Sequence, residues 1–200
     1  MSKKPGEQNT IEGRVVNEND LHYYSDIVFE AEDIVELRLL GKGSPIQIWE
    51  LARDLPAIYG QLMRYNQQDY NIYVGVNPRR AKGISGDEGV LLTRCLFADF
   101  DDIQPSDGCG PSEFVLMRIE EANLPNPTLV ICSGHGIHTY WRLSEPIKDM
   151  NKWKQLQERL ITALQSDSSI KNPERIMRLP GFMNVKEKPH KECFIIYMDA

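Results

Sequence analysis

Asp99 and Asp101 close an otherwise apolar run, Cys95-Leu96-Phe97-Ala98-Asp99-Phe100-Asp101-Asp102. In a β-strand alternate side chains share a face, so these two carboxylates project together, about 6 to 7 Å apart along the strand. Like charges held that close cost free energy unless a cation lies between them, and a divalent metal is the usual one. Magnesium or manganese suits an all-oxygen ligand set. Paired carboxylates on such ions, beside Lys or Arg, are the equipment of in-line phosphoryl or nucleotidyl transfer. The plainer alternative is a strand that ends in a solvated acidic turn. What the rest of the chain brings to the same place decides between the two.

The elements that must position these groups follow from hydrophobic pattern. Residues 1–18 are polar and expected to be disordered. Ile34 to Leu40 has strand character, and Gly41-Lys42-Gly43-Ser44-Pro45 is a loop. Leu51, Leu55, Ile58 and Leu62 predict a helix over Trp49 to Met63, kinked at Pro56. A second strand covers Asn71 to Val76, followed by a Gly-rich basic loop to Gly89. Beyond it the pattern predicts a strand (Leu92 to Asp101), a helix capped by Ser112, strands over Thr128 to Cys132 and Ile137 to Leu143, and an amphipathic helix opened by Asp149 or Asn151. A last strand runs from Glu192 to Met198.

That order, βαββαβ, is a split βαβ arrangement. It places the first and third of its strands side by side and antiparallel, with the fourth flanking the first. His138, at the start of the third strand, then neighbours Asp99 and Asp101, since adjacent strands lie about 4.8 Å apart. The segment carrying Arg178, Asn184 and Lys186 is expected at the same end. Alternation sends Leu96, Ala98 and Phe100 under the helices and leaves Asp99, Asp101 and His138 on the open face, with Asp102 opposite.

Two hundred residues, 41% apolar and 26% charged, describe an ordinary globular chain. The polar opening is neither a secretory signal nor a membrane span, so a cytoplasmic protein without membrane contact is expected. Four cysteines lie far apart with no zinc spacing, which argues against structural zinc and a disulfide framework. A net charge of −6 argues against nucleic-acid binding by the whole surface but leaves room for a local basic groove. Arg79, Arg80 and Lys82 form one basic cluster, and Arg175, Arg178, Lys186, Lys188 and Lys191 another; Lys188 and Lys191 read as solvated surface charge.

Three motifs in order resemble those of the archaeo-eukaryotic primase superfamily, in its primase-polymerase branch of plasmid and phage replication proteins. They are Phe97-Ala98-Asp99-Phe100-Asp101, then Ser133-Gly134-His135-Gly136-Ile137-His138 with Tyr140-Trp141-Arg142-Leu143, then Arg178-Leu179-Pro180-Gly181-Phe182-Met183-Asn184-Val185-Lys186. Val35-Glu36-Leu37-Arg38 and Tyr73-Val74-Gly75-Val76-Asn77-Pro78-Arg79 resemble the leading portion of that branch, so the likeness starts near residue 30.

The resemblance implies an α+β catalytic domain: an RRM-like palm over residues 91–200, with a smaller N-terminal α/β module over 19–90 packed against it. It implies DNA primase or DNA polymerase activity on a DNA template with nucleoside triphosphates, using Mg²⁺ or Mn²⁺. Carried over, Asp99 and Asp101 ligate metal, with Asp167 the candidate third ligand. His138 and Ser133 hold the incoming nucleotide's phosphates, Arg178, Asn184 and Lys186 line the nucleotide or template side, and Arg79 touches the nucleotide. Relatives often carry a helicase or a helical accessory domain, so such a partner is expected outside this chain, which would then be an excised catalytic domain. Two alternatives stay open: a non-catalytic RNA-recognition module of the same βαββαβ order, and another metal-dependent palm enzyme, a nucleotidyl cyclase or a nuclease.

Overall fold

The computed structural model describes residues 18–101 and 111–199. The expected disordered tail, Asp102 and the loop with Pro105, Gly108, Cys109 and Gly110 lie outside these residues, apart from residue 18. The chain forms two antiparallel sheets with helices packed on them.

The first sheet has the order β2-β1-β3-β7. Its centre is β1 (Ile34–Leu40), flanked by β2 (Ile46–Leu51) and β3 (Asn71–Gly75), and β7 (Ile176–Arg178) closes its edge beside β3. In β1, Val35, Leu37 and Leu39 are buried on one face by strand alternation. The expected helix over Trp49 to Met63 is corrected here. Its first residues form β2, because Ile46-Gln47-Ile48 alternates and pairs with β1 across the Gly-rich turn. The chain then makes two 3₁₀ turns, Ala52–Asp54 and Pro56–Ile58, and the helix proper, α2 (Tyr59–Asn66), starts beyond Pro56, which sits where a missing N–H is harmless.

Before β1 comes α1 (Glu18–Val28), which sequence reading left out. Its Leu21, Tyr24 and Val28 keep helical spacing and are fully buried. Arg142 holds its C-terminal end, donating to the carbonyls of Ile27 and Val28, which offsets the orphan acceptors there.

The second sheet has the order β4-β6-β5-β9-β8, built from β4 (Thr93–Asp101), β5 (Leu129–Cys132), β6 (Gly136–Ile147), β8 (Phe182–Asn184) and β9 (Lys191–Met198). Two helices, α3 (Pro111–Glu121) and α4 (Met150–Leu164), complete the βαββαβ order. The helix expected from a Ser112 cap is present, with both Pro111 and Ser112 already inside it. Asp149 caps α4 by accepting from the N–H groups of Asn151 and Lys152.

The first and third strands of this unit, β4 and β6, pair antiparallel as expected, with Asp99 opposite His138. The fourth, β9, does not flank the first. It pairs with β5, on the far side of the sheet. Two features account for this. The chain between α4 and β9 detours through β7 and β8, and β8 joins β9 as a hairpin. The outer edge of β4 is already covered by α4: Trp153 Nε1 donates to the Cys95 carbonyl, and the Gln157 amide bonds both the N–H and the C=O of Phe97.

The two faces of the second sheet carry separate cores. Ala98, Phe100, Ile137 and Trp141 pack with Val115 and Ile119 of α3 and with Leu160 and Leu164 of α4. On the other face, Cys95, Phe97 and Tyr140 join Trp153 and the buried residues of α1 and the first sheet in a single cluster. Tyr24 of α1 stands edge-on to Tyr140, with ring centroids 5.7 Å apart. That face is therefore covered over most of its length, and only its Asp99 end opens outward. Among the described residues no helix is long and apolar enough to cross a membrane.

Candidate active site

Asp99, Asp101 and His138 meet because β4 and β6 are in register there. The outward backbone groups of β4 at Phe97 and Asp99 bond Gln157 and the Asp167 N–H, not β6. Asp99 and His138 are thus a non-hydrogen-bonded pair, the kind whose side chains approach more closely. His138 Nε2 lies 3.7 Å from Asp99 Oδ1.

Two glycines make this corner. Gly136 faces Asp101, and a Cβ there would lie 2.3 Å from the Phe100 carbonyl oxygen. Gly134, at φ +91°, turns the chain between β5 and β6 where a side chain would press on Asn184 and Lys191.

The third carboxylate comes from the loop after α4. Gln165 adopts the left-handed conformation that ends the helix, and the chain doubles back along β4, where the Asp167 N–H donates to the Asp99 carbonyl at 2.9 Å. Asp167 also accepts from the Ser169 N–H at 2.8 Å and the Ser169 hydroxyl at 2.6 Å. One carboxylate oxygen from each of Asp99, Asp101 and Asp167 lies within 4.8 Å of the others.

Electrostatics at this corner favour the uncharged forms of Asp99 and His138. Burial, then the like charges of Asp101 and Asp167, push the Asp99 carboxyl up to about 7, against the pull of Arg175 and Arg178. Burial, with Arg178 adding to it, pushes the His138 imidazole down to about 3, so it is neutral at pH 7 and its contact with Asp99 is not an ion pair. Neither Asp99 Oδ1 nor His138 Nδ1 has a hydrogen-bond partner among the described residues. A buried carboxylate oxygen without a donor, inside a cluster of hard oxygen ligands, fits Mg²⁺ or Mn²⁺.

The trio walls a cleft of about 420 Å³ that also takes in Ser133, His138, Arg178, Asn184 and Lys186. Eight of the nine residues singled out from sequence thus share one cavity. The trio also walls a second hollow of about 500 Å³, with Phe100, Phe114, Gln165 and Ser166.

Within the cleft the roles differ. Arg178 reaches over the Tyr73 ring, 4.9 Å from its centroid, and is held by Asn71. Lys186 is exposed. Asn184 is buried and its amide is used in place: Nδ2 donates to the Ser133 carbonyl at 2.9 Å, and Oδ1 accepts from the Lys186 N–H at 3.1 Å. It ties the Ser133 turn to the segment bearing Lys186.

Arg79 is the ninth, and it does not reach the cleft. Its guanidinium is fully buried in an ion pair with Glu36 at 2.5 Å, and also donates to the carbonyls of Gly86 and Glu174. A basic loop residue looked available for a nucleotide, but the acidic partner on β1 claims it.

Arg175, His135, Ser169 and Tyr73 also line the cleft and were not assigned to it from sequence. Arg175 stood in the second basic cluster, and His135 in the Ser-Gly-His-Gly turn. Tyr73 stood in the segment that resembles the leading portion of the primase-polymerase branch, with no role of its own assigned.

No protein-family model matches the sequence, and no curated protein matches it. Among solved structures the chain is similar to the AEP domain of the cyanophage S-2L primase-polymerase, with a TM-score of 0.73 and 20% identity over 92% of this chain and 91% of that one. It is similar to the primase RepB′, with a TM-score of 0.67 and 15% identity over 90% of this chain and 56% of that one. A third likeness is to the catalytic domain of primase RepB′ in complex with initiator DNA, with a TM-score of 0.62 and 16% identity over 90% and 85% of the two chains.

Proposed function

Given that this chain has the archaeo-eukaryotic primase fold, we propose that it is a template-directed nucleotidyltransferase that adds nucleotides to a strand paired with DNA. The observation that carries this reading is the acidic trio set beside a basic cleft. Asp99, Asp101 and Asp167 would hold Mg²⁺ or Mn²⁺, which when bound activates the attacking hydroxyl and offsets charge on the leaving pyrophosphate. Arg178, Arg175 and Lys186 supply the positive charge that a triphosphate requires. His138, neutral, donates one N–H to a phosphate oxygen. Asn184 keeps the Ser133 turn and Lys186 at a fixed distance from each other. The second hollow walled by the same trio gives an attacking hydroxyl a separate approach to it.

A plain RNA-recognition module is disfavoured by the same site, because three carboxylates at the end of the sheet would repel a phosphate backbone. The deciding experiment is extension of primed and unprimed DNA templates with ribo- and deoxynucleotides, each with Mg²⁺ or Mn²⁺. Template-length products that vanish in Asp101→Ala support the proposal. A cyclic nucleotide or shortened strands would move it to another palm enzyme, and no product under any condition would remove it.

A further inference from the structure

The outer edge of β4 is finished by one side chain in place of a neighbouring strand. Gln157 is fully buried. Its Oε1 accepts from the Phe97 N–H at 3.2 Å, and its Nε2 donates to the Phe97 carbonyl at 2.6 Å and to the Ile170 carbonyl at 3.3 Å. A carboxamide offers a peptide unit an acceptor for its N–H and a donor for its carbonyl. The third bond is the informative one. Phe97 lies two residues before Asp99, and Ile170 lies three residues after Asp167. The amide therefore ties the strand bearing two of the carboxylates to the loop bearing the third, next to the Asp167 N–H bond to the Asp99 carbonyl.

We propose that Gln157 is a positioning residue for the metal site, setting the distance between Asp167 and the Asp99–Asp101 pair by bridging Phe97 and Ile170. It touches neither metal nor nucleotide. The inference rests on the metal-binding reading above and names a residue that acts through the ligands. Met in its place fills similar volume but leaves one buried N–H and two carbonyls without that partner. The loop then keeps its Asp167 N–H bond to the Asp99 carbonyl but loses its second tie to the strand, and the spacing of the three carboxylates loosens.

The test is Mn²⁺ affinity, followed by the electron paramagnetic resonance of free Mn²⁺ in wild type, Gln157→Met and the milder Gln157→Asn, at a temperature where circular dichroism shows all of them folded. The expected result is a loss of roughly 10- to 100-fold in Mn²⁺ affinity, the range seen when partners behind metal ligands are replaced. Nucleotide incorporation should recover in part as Mn²⁺ is raised. A folded variant that binds Mn²⁺ as wild type does would overturn the assignment, and so would unfolding of both variants, which would give the amide to the fold alone. Wild type that binds no Mn²⁺ defeats the metal site itself. Wild type that binds Mn²⁺ but adds no nucleotide defeats the polymerase proposal and leaves the role of Gln157 measurable.

Discussion

Asp99 carries the conflict at the centre of this protein. Its carboxyl is held at about 7, against an ordinary value of about 3.9. Between those values the folded protein keeps a proton that the unfolded chain has released, so stability falls as pH rises through the window and stays lower above it. Asp99→Asn removes the cost. The metal-free variant should be more stable than wild type at pH 8, by up to about 4 kcal/mol, and the gap should close by pH 4. With Mn²⁺ present the order should reverse, since only wild type gains from the cation. Urea melts at the two pH values, in EDTA and in Mn²⁺, check this; a metal-free Asn variant weaker than wild type at pH 8 would refute it. His138 has the opposite sign. With its imidazole held at about 3, it binds its proton later than the unfolded chain does, so it takes stability away as pH falls from about 6.5 toward 3.

At the scale of elements, the site is made by strand pairing and by what covers the strand's free side. β6 fixes His138 against Asp99 through a register that Gly136 permits. Gly136→Ala would place a methyl group against the Phe100 carbonyl oxygen and force the two strands apart at the site. The expected cost is about 1–3 kcal/mol, or several degrees in Tm for a chain of this size, together with weaker Mn²⁺ binding. A thermal melt and the Mn²⁺ titration measure both, and an unchanged Tm would show that the strand end is looser than its geometry implies. On the other side, α4 serves as the missing neighbour through Trp153 and Gln157, and then delivers Asp167. The same helix thus protects an edge from stray pairing and leads into the loop that brings the third carboxylate.

For the whole molecule, the two sheets share one interior. β7 comes from beyond residue 170 yet completes the first sheet, and Tyr24, Tyr140, Phe97 and Trp153 form a chain of aromatic contacts running from α1 across the second sheet to α4. Such a core should unfold as one unit. Trp49 reports on the first sheet, and Trp141 and Trp153 on the second, so single-tryptophan variants should give coincident denaturation curves. Tyr24→Ala, which empties a fully buried site, should cost about 3–5 kcal/mol and shift all of those curves together. Separate transitions would mean that the two sheets are independent folding units.

The sequence alone determined the acidic strand tip, the βαββαβ order and the antiparallel contact of Asp99 with His138, because each follows from local periodicity and from one pairing rule. Strand alternation also separated the face of Asp99, Asp101 and His138 from that of Ala98 and Phe100, but the expected open face is covered by α1 and the first sheet except at its Asp99 end. Four things were settled only in three dimensions: the place of β9 beside β5, the strand β2 in a segment with helical spacing, the enclosure of Arg79 by Glu36, and the bridge made by Gln157. The strand β2 has its partner β1 just across a short turn, and the other three depend on partners distant in the chain. Whether an edge is free, whether a cation is already paired, and whether an amide faces water or a peptide group are properties of neighbours, and neighbours 60 or more residues away, such as Gln157 for Phe97, leave no periodic trace in the sequence.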